Sequence, residues 1–241
     1  MKLGNVVWIT GAGSENGLGY AIAEELEIEG YGTERFDKKI EGGAIGHVLD
    51  ITDEYAVEKA FDSLEKPFAI VNCAGVNITG KFLSYSLENL RKTFEVNVFG
   101  NFIFTKAFVE ATLEYDAPKY IINIGSDSAN TPRTNSFAYC ASKAGIQMFT
   151  RCFSRDLASM GYRTIELDPS LILDTNMDIY INNEAARIQG QTEEQIKRYR
   201  MSKVPIGRFA TTWELAKWIP FILKNGEYAN GSCIRVTGGV I

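Results

Sequence analysis

The chain has 241 residues, 45% of them hydrophobic, and a formal charge of -5. That apolar share suits one core built by burial alone, without metals or disulfides, and the mild acidity offers no broad basic field to nucleic acid. The single histidine, His47, excludes a His-based metal site or a Ser-His-Asp triad, and no run approaches the ~18 apolar residues of a membrane span.

Residues 6–9 are a continuous run of strand formers, as in a strand buried on both faces of a parallel sheet. A glycine-rich turn over residues 10–19 leads into a helix over 20–29. Glycines in that order let the backbone approach a pyrophosphate, and the helix N-terminus offers free N–H groups; a plain tight turn would use the same residues. A second strand over 32–37 ends at Asp37, about twenty residues past the loop. A carboxylate there accepts hydrogen bonds from adenosine ribose hydroxyls and repels a 2′-phosphate, which favours NAD over NADP; otherwise it is a solvated turn acid.

A third strand is expected over 47–50, with His47 in a structural or surface role, then a helix over 53–64 and a fourth strand over 68–71. Asn72-Cys73-Ala74-Gly75 follows, small residues that again let backbone meet ligand. Ser86 caps a long helix reaching to about Leu113, with Asn97 inside its apolar stretch, either satisfied locally or bending the helix. A fifth strand over 120–124 ends at Gly125-Ser126, at the sheet edge where ligands bind. A helix over 137–160 has an apolar stripe at Ile146, Phe149, Phe153 and Leu157, and the sixth strand over 164–167 ends at Asp168-Pro169-Ser170.

Residues 176–204 are polar, with a capping box at Thr192 and Gln195, and sit where a lid would sit. Arg187, Arg198 and Arg200 there could meet an anion or simply face solvent. Thr211 and Glu214 form a second capping box, Pro220 should kink or divide the helix after it, and the last strand covers 233–236. Alternating strands and helices give an α/β, doubly wound sheet. The scattered cysteines, Cys73, Cys140, Cys152 and Cys233, read as reduced, buried residues of a cytoplasmic protein, and the stretch after Lys2 lacks the pattern of a signal peptide.

Tyr139 and Lys143 stand one helical turn apart. An ammonium near a phenol favours the phenolate, so this tyrosine is a candidate general acid/base; the same spacing also occurs on ordinary helix surfaces.

Taken together, these residues resemble the short-chain dehydrogenase/reductase family along the whole chain. The Y-x-A-S-K-A run carries Tyr139 and Lys143, Ser126 lies thirteen residues earlier, and Asn97, the Asn72-Cys73-Ala74-Gly75 element and Val236-Thr237-Gly238-Gly239 follow the family's order. The resemblance implies one Rossmann-type domain over 1–241, a parallel seven-stranded sheet with helices on both faces, and a lid-like insert at about 176–204. It implies catalysis by Ser126, Tyr139, Lys143 and Asn97, the last holding a water in a proton relay. It implies coenzyme contacts from Gly11, Ser14, Asn16, Gly17, Leu18 and Gly19, from Asp37, Asp50 and Ile51, from Asn72, Ala74 and Gly75, from Tyr139 and Lys143, and from Pro169, Ile172 and Thr175. The chain departs from the family in two extra residues within the glycine loop and in Ser170 where the family has glycine.

The expected function is hydride transfer between NAD(H), with NADP the lesser candidate, and a secondary alcohol or ketone, small and polar: a polyol, sugar derivative or keto compound. The rivals are an NAD-binding regulatory or sensor protein on the same scaffold, and a nucleotide-sugar epimerase or reductase, against which the short chain counts. Self-association as a homotetramer or homodimer follows from the resemblance; no nucleic acid or membrane partner is expected.

Overall fold

A computed structural model describes residues 4–240; Lys2, read above for a leader, lies outside them. Strands β1 (Val6–Thr10), β2 (Gly32–Asp37), β3 (His47–Val48), β4 (Ala69–Asn72), β5 (Lys119–Ile124), β6 (Tyr162–Pro169) and β7 (Cys233–Val236) form one sheet in the order β3-β2-β1-β4-β5-β6-β7, every neighbouring pair parallel. The order reverses between β1 and β4, so the strand ends there open a crevice.

Alternation along the strands divides the core. Val7 and Ile9 of β1 join Ile122 and Ile165 against α1 (Leu18–Ile28), α8 (Thr212–Ala216) and α9 (Trp218–Asn225). Trp8 points to the other face and stacks on Phe61 at 4.3 Å; Phe36, Ile70, Phe104 and Phe108 complete that layer beneath α2 (Glu54–Ser63) and α4 (Asn101–Thr112). At full burial each large side chain there contributes about 1.5–3 kcal/mol.

Four expectations are revised. The third strand shrinks to two exposed edge residues; His47 stays structural, bonding Glu34 at 2.7 Å and stacking on Phe36. The long helix after Ser86 divides into α3 (Leu87–Phe94), a π-helical segment (Glu95–Gly100) and α4, a widened turn centred on Asn97. The helix begun at Phe137 is α5 (Phe137–Asp156), and Gly161 at φ 84° turns the chain into β6. Cys152 is exposed rather than buried, and Cys73, Cys140 and Cys233 are only half-buried; among the described residues no cysteine is bridged.

The remaining elements are α6 (Asn176–Gln189) and α7 (Glu193–Met201), with both predicted capping boxes present, at Thr192 and Thr211. Pro220 falls in the first turn of α9, where its missing N–H costs no helical bond, and the break comes just before it.

Candidate functional site

A cleft of about 950 Å³ opens at the C-terminal ends of the strands. At its floor, Thr10 ties β1 to the turn after β4: its hydroxyl accepts from Cys73 N at 3.1 Å and Ala74 N at 3.2 Å. The glycine loop needs its glycines at particular places. Gly11 has φ 71°, and a methyl group on Gly19 would lie 2.4 Å from the Gly11 carbonyl oxygen. Gly17 caps α1 with no side-chain acceptor, so first-turn N–H groups stay available for an anion. Asp37 accepts from Gly13 N at 3.0 Å, which holds its carboxylate at the end of β2 against the loop. These features fit a dinucleotide: backbone donors for the pyrophosphate and a carboxylate for the adenosine ribose.

The two extra loop residues have a use. Ser14 donates to Asn16 Oδ1 at 2.7 Å, Asn16 donates to Asn176 Oδ1 at 3.2 Å, and Asn176 donates back to Ser14 Oγ at 3.0 Å. The loop thus clasps the first residue of α6 across the mouth of the cleft.

On the opposite wall α5 presents Tyr139 and Lys143. Ser126 is the neighbour of the Tyr139 hydroxyl that favours its ionised form, and its Oγ accepts from Ser128 N at 3.1 Å. Lys143 Nζ donates to the Ile124 carbonyl at 2.7 Å and lies 5.8 Å from the Tyr139 ring centre. The expected downward pull of Lys143 on the phenol is not the dominant effect. Burial is, and it raises the Tyr139 hydroxyl above its usual value, with Ser126 working against it. Burial likewise lowers the Lys143 ammonium.

The Asn97 side chain is held by protein partners. Oδ1 accepts from Val76 N at 2.7 Å, while Nδ2 donates to Val76 O and to Ser142 Oγ, both at 2.9 Å. Asn97 thereby pins the turn after β4 to α5 beside Lys143.

Of the other residues anticipated for the coenzyme, Gly11, Ser14, Gly17, Leu18, Asp37, Asp50, Ile51, Ala74 and Gly75 line the cleft, as do Pro169, Ile172 and Thr175. Asn16 works from outside through its clasp, and Gly19 packs against Gly11. Asn72 turns away, donating to Thr105 Oγ1 at 3.0 Å and Asn123 Oδ1 at 2.9 Å. Asp50 is held by Thr52 N at 3.0 Å and paired with Lys38. The three arginines of the polar insert already hold acids: Arg187 with Glu184, Arg198 with Glu194, Arg200 with Asp178.

Several cleft residues were missed. Asn77 and Thr79, both nine-tenths buried, line the cleft and each has a buried side-chain oxygen without a partner, and Ser170 Oγ is a third. Asp127, 2% exposed, is ion-paired with Arg133 beside Ser126. Only the stretch beyond Gly75, polar where a helix had not yet begun, signalled the first two.

A model of the short chain dehydrogenase family matches residues 5–186. The 2,3-dihydro-2,3-dihydroxybenzoate dehydrogenase of Escherichia coli is 30% identical over 92% of this chain and 90% of its own. The sorbitol-6-phosphate 2-dehydrogenase of Klebsiella pneumoniae is 27% identical over 98% and 95%. The aldohexose dehydrogenase of Thermoplasma acidophilum superposes with a TM-score of 0.85 at 26% identity, covering 99% of this chain and 94% of that one. The protein therefore belongs to the short-chain dehydrogenase family.

Proposed function

We propose that the chain is an oxidoreductase acting between NAD(H) and a secondary alcohol or ketone, with Ser126, Tyr139 and Lys143 as its working groups. The observation that carries this is their convergence in the lining of one cleft, Ser126 beside the Tyr139 hydroxyl and the Lys143 ammonium anchored at Ile124 O. The coenzyme, when bound, supplies or accepts the hydride. In alcohol oxidation Tyr139 Oη takes the substrate hydroxyl proton; in reduction it returns it. Ser126 Oγ donates to the substrate oxygen and steadies its developing charge. Because burial holds Tyr139 protonated, the phenol is set up to donate, and it needs Lys143 close by to accept. The free N–H groups in the first turn of α1 would hold the pyrophosphate, Asp37 the adenosine ribose and Lys143 the nicotinamide ribose. The segment 176–204 would serve as the lid of a single domain over the chain.

The substrate reading is a small polyhydroxy compound. It is supported by the polar cleft-lining residues Asn77, Thr79 and Ser170, whose side-chain oxygens have no protein partner, and by the commitment of the insert's arginines to acids. Relatives named for a sugar phosphate and an aldohexose are in keeping with it. Self-association would use the face where Phe102, Phe149 and Phe153 pack together half-exposed.

The test is Tyr139→Phe, assayed with NAD and a panel of sugars and polyols. Turnover should fall about 10²-fold or more while NADH binding, read by fluorescence, survives. Unchanged turnover sinks the mechanism; coenzyme binding without any turnover by the parent protein would favour a sensor.

A further inference from the structure

Glu166 and Asp168 lie in the fully buried C-terminal half of β6. Two residues apart, they leave the same face of the sheet, and neither is exposed. The face of α5 that carries Lys143 covers them. Gln147, one turn on, donates to Asp168 Oδ2 at 3.4 Å, and Thr150 donates to Glu166 Oε2 at 2.9 Å. The remaining oxygens, Asp168 Oδ1 and Glu166 Oε1, meet no donor. They converge on one point: a methyl group on Gly125 would lie 2.0 Å from the first and 2.1 Å from the second. Gly125 adjoins Ile124, whose carbonyl receives the Lys143 ammonium.

Two buried carboxylates at that range repel, and a proton between them turns repulsion into a hydrogen bond. We propose that Glu166 and Asp168 share one proton and set a single buried negative charge behind Lys143, fixing its ammonium at the Ile124 carbonyl. Both are positioning residues, and their relevance to turnover rests on the reading of Lys143 given above. Lys143 is 6% exposed, so desolvation favours the neutral amine; Cys73, Glu166 and Asp168 work against that. Burial and the Asp168 neighbour push Glu166 up to about 9, and burial raises Asp168, so the pair keeps its proton at neutral pH.

The other groups around the pair do not supply that charge. Cys233 of β7 lies 3.8 Å from Glu166 Oε2, and burial pushes its thiol up to about 12. Arg235 of β7 and Arg151 of α5 are cations, and β5 offers the neutral amide of Asn123. Cys73, beside Lys143, is a thiol pushed up to about 12 by burial.

The test titrates Lys143 in the full-length protein with 13C in the lysine ε carbons, the resonance assigned by its loss in Lys143→Arg. Glu166→Gln and Asp168→Asn each leave one carboxylate and therefore one charge, so each should titrate close to the parent. The double variant has none, and its midpoint should fall by about one pH unit, the size an adjacent opposite charge commonly gives. A folded double variant titrating like the parent overturns the proposal, as does a full shift in either single. Infrared spectra serve if the double variant does not fold. A protonated carboxyl band should persist in the parent at neutral pH and vanish in each single variant; no such band in the parent, or a stoichiometric divalent ion bound there, overturns the proposal. Loss of the turnover reading through Tyr139→Phe leaves these measurements untouched.

Discussion

Asp37 carries the choice between the two nicotinamide dinucleotides through charge. Its carboxylate is held by the Gly13 N–H, and a 2′-phosphate brought beside it would meet like charge. Asp37→Asn keeps an acceptor for Gly13 and removes the charge. The KM for NADP should drop about tenfold with little change for NAD; steady-state kinetics with both coenzymes check it, and an unmoved NADP value would put the discrimination elsewhere. At this scale the sequence was legible where function sits at short spacing. Tyr139 and Lys143 share one helix, so four residues of separation already placed them together. Asn97 was legible as a polar residue in an apolar helix, but not its partners, because Val76 lies on a different element. Glu166 was read as part of the sixth strand and Asp168 as its end; what they face depends on how α5 lies across β6, and no local pattern states that.

Most elements followed from hydrophobic period and capping, and the exceptions have physical causes. The helix after Ser86 widens at Asn97 because that amide reaches the backbone of the β4 turn rather than its own helix. β3 is short because it is an edge strand with both residues exposed and little apolar surface to hold it. The longer glycine loop read as a departure of unknown consequence; it is a clasp on α6. Asn176→Ala removes two of its exposed hydrogen bonds, together worth about 1 kcal/mol. NADH should then dissociate roughly fivefold faster by that figure, measured by stopped-flow fluorescence, with the chemical step in single turnover unaltered. Unchanged dissociation would mean the clasp does not restrain the coenzyme.

Across the molecule, the doubly wound sheet was readable from the alternation of strands and helices, since each crossover must pass over a face. The electrostatics of the interior were not. Glu166 loses its proton near 4.5 in the unfolded chain and holds it to about 9 when folded. Its contribution is complete below the unfolded value and declines as pH rises through that window, where the unfolded state binds fewer protons. Thermal unfolding followed from pH 5 to pH 9 should therefore show a declining Tm, and Glu166→Gln should flatten the decline. A parent profile already flat would contradict a buried, protonated acid. Gly125 ties these acids to the end of β5. The space a side chain would need at that position is taken by the oxygens of Asp168 and Glu166, so any residue larger than glycine there must push the two carboxylates from their meeting point. The pair and the bare backbone beside it are therefore a single unit, and altering one member alters the room left to the others.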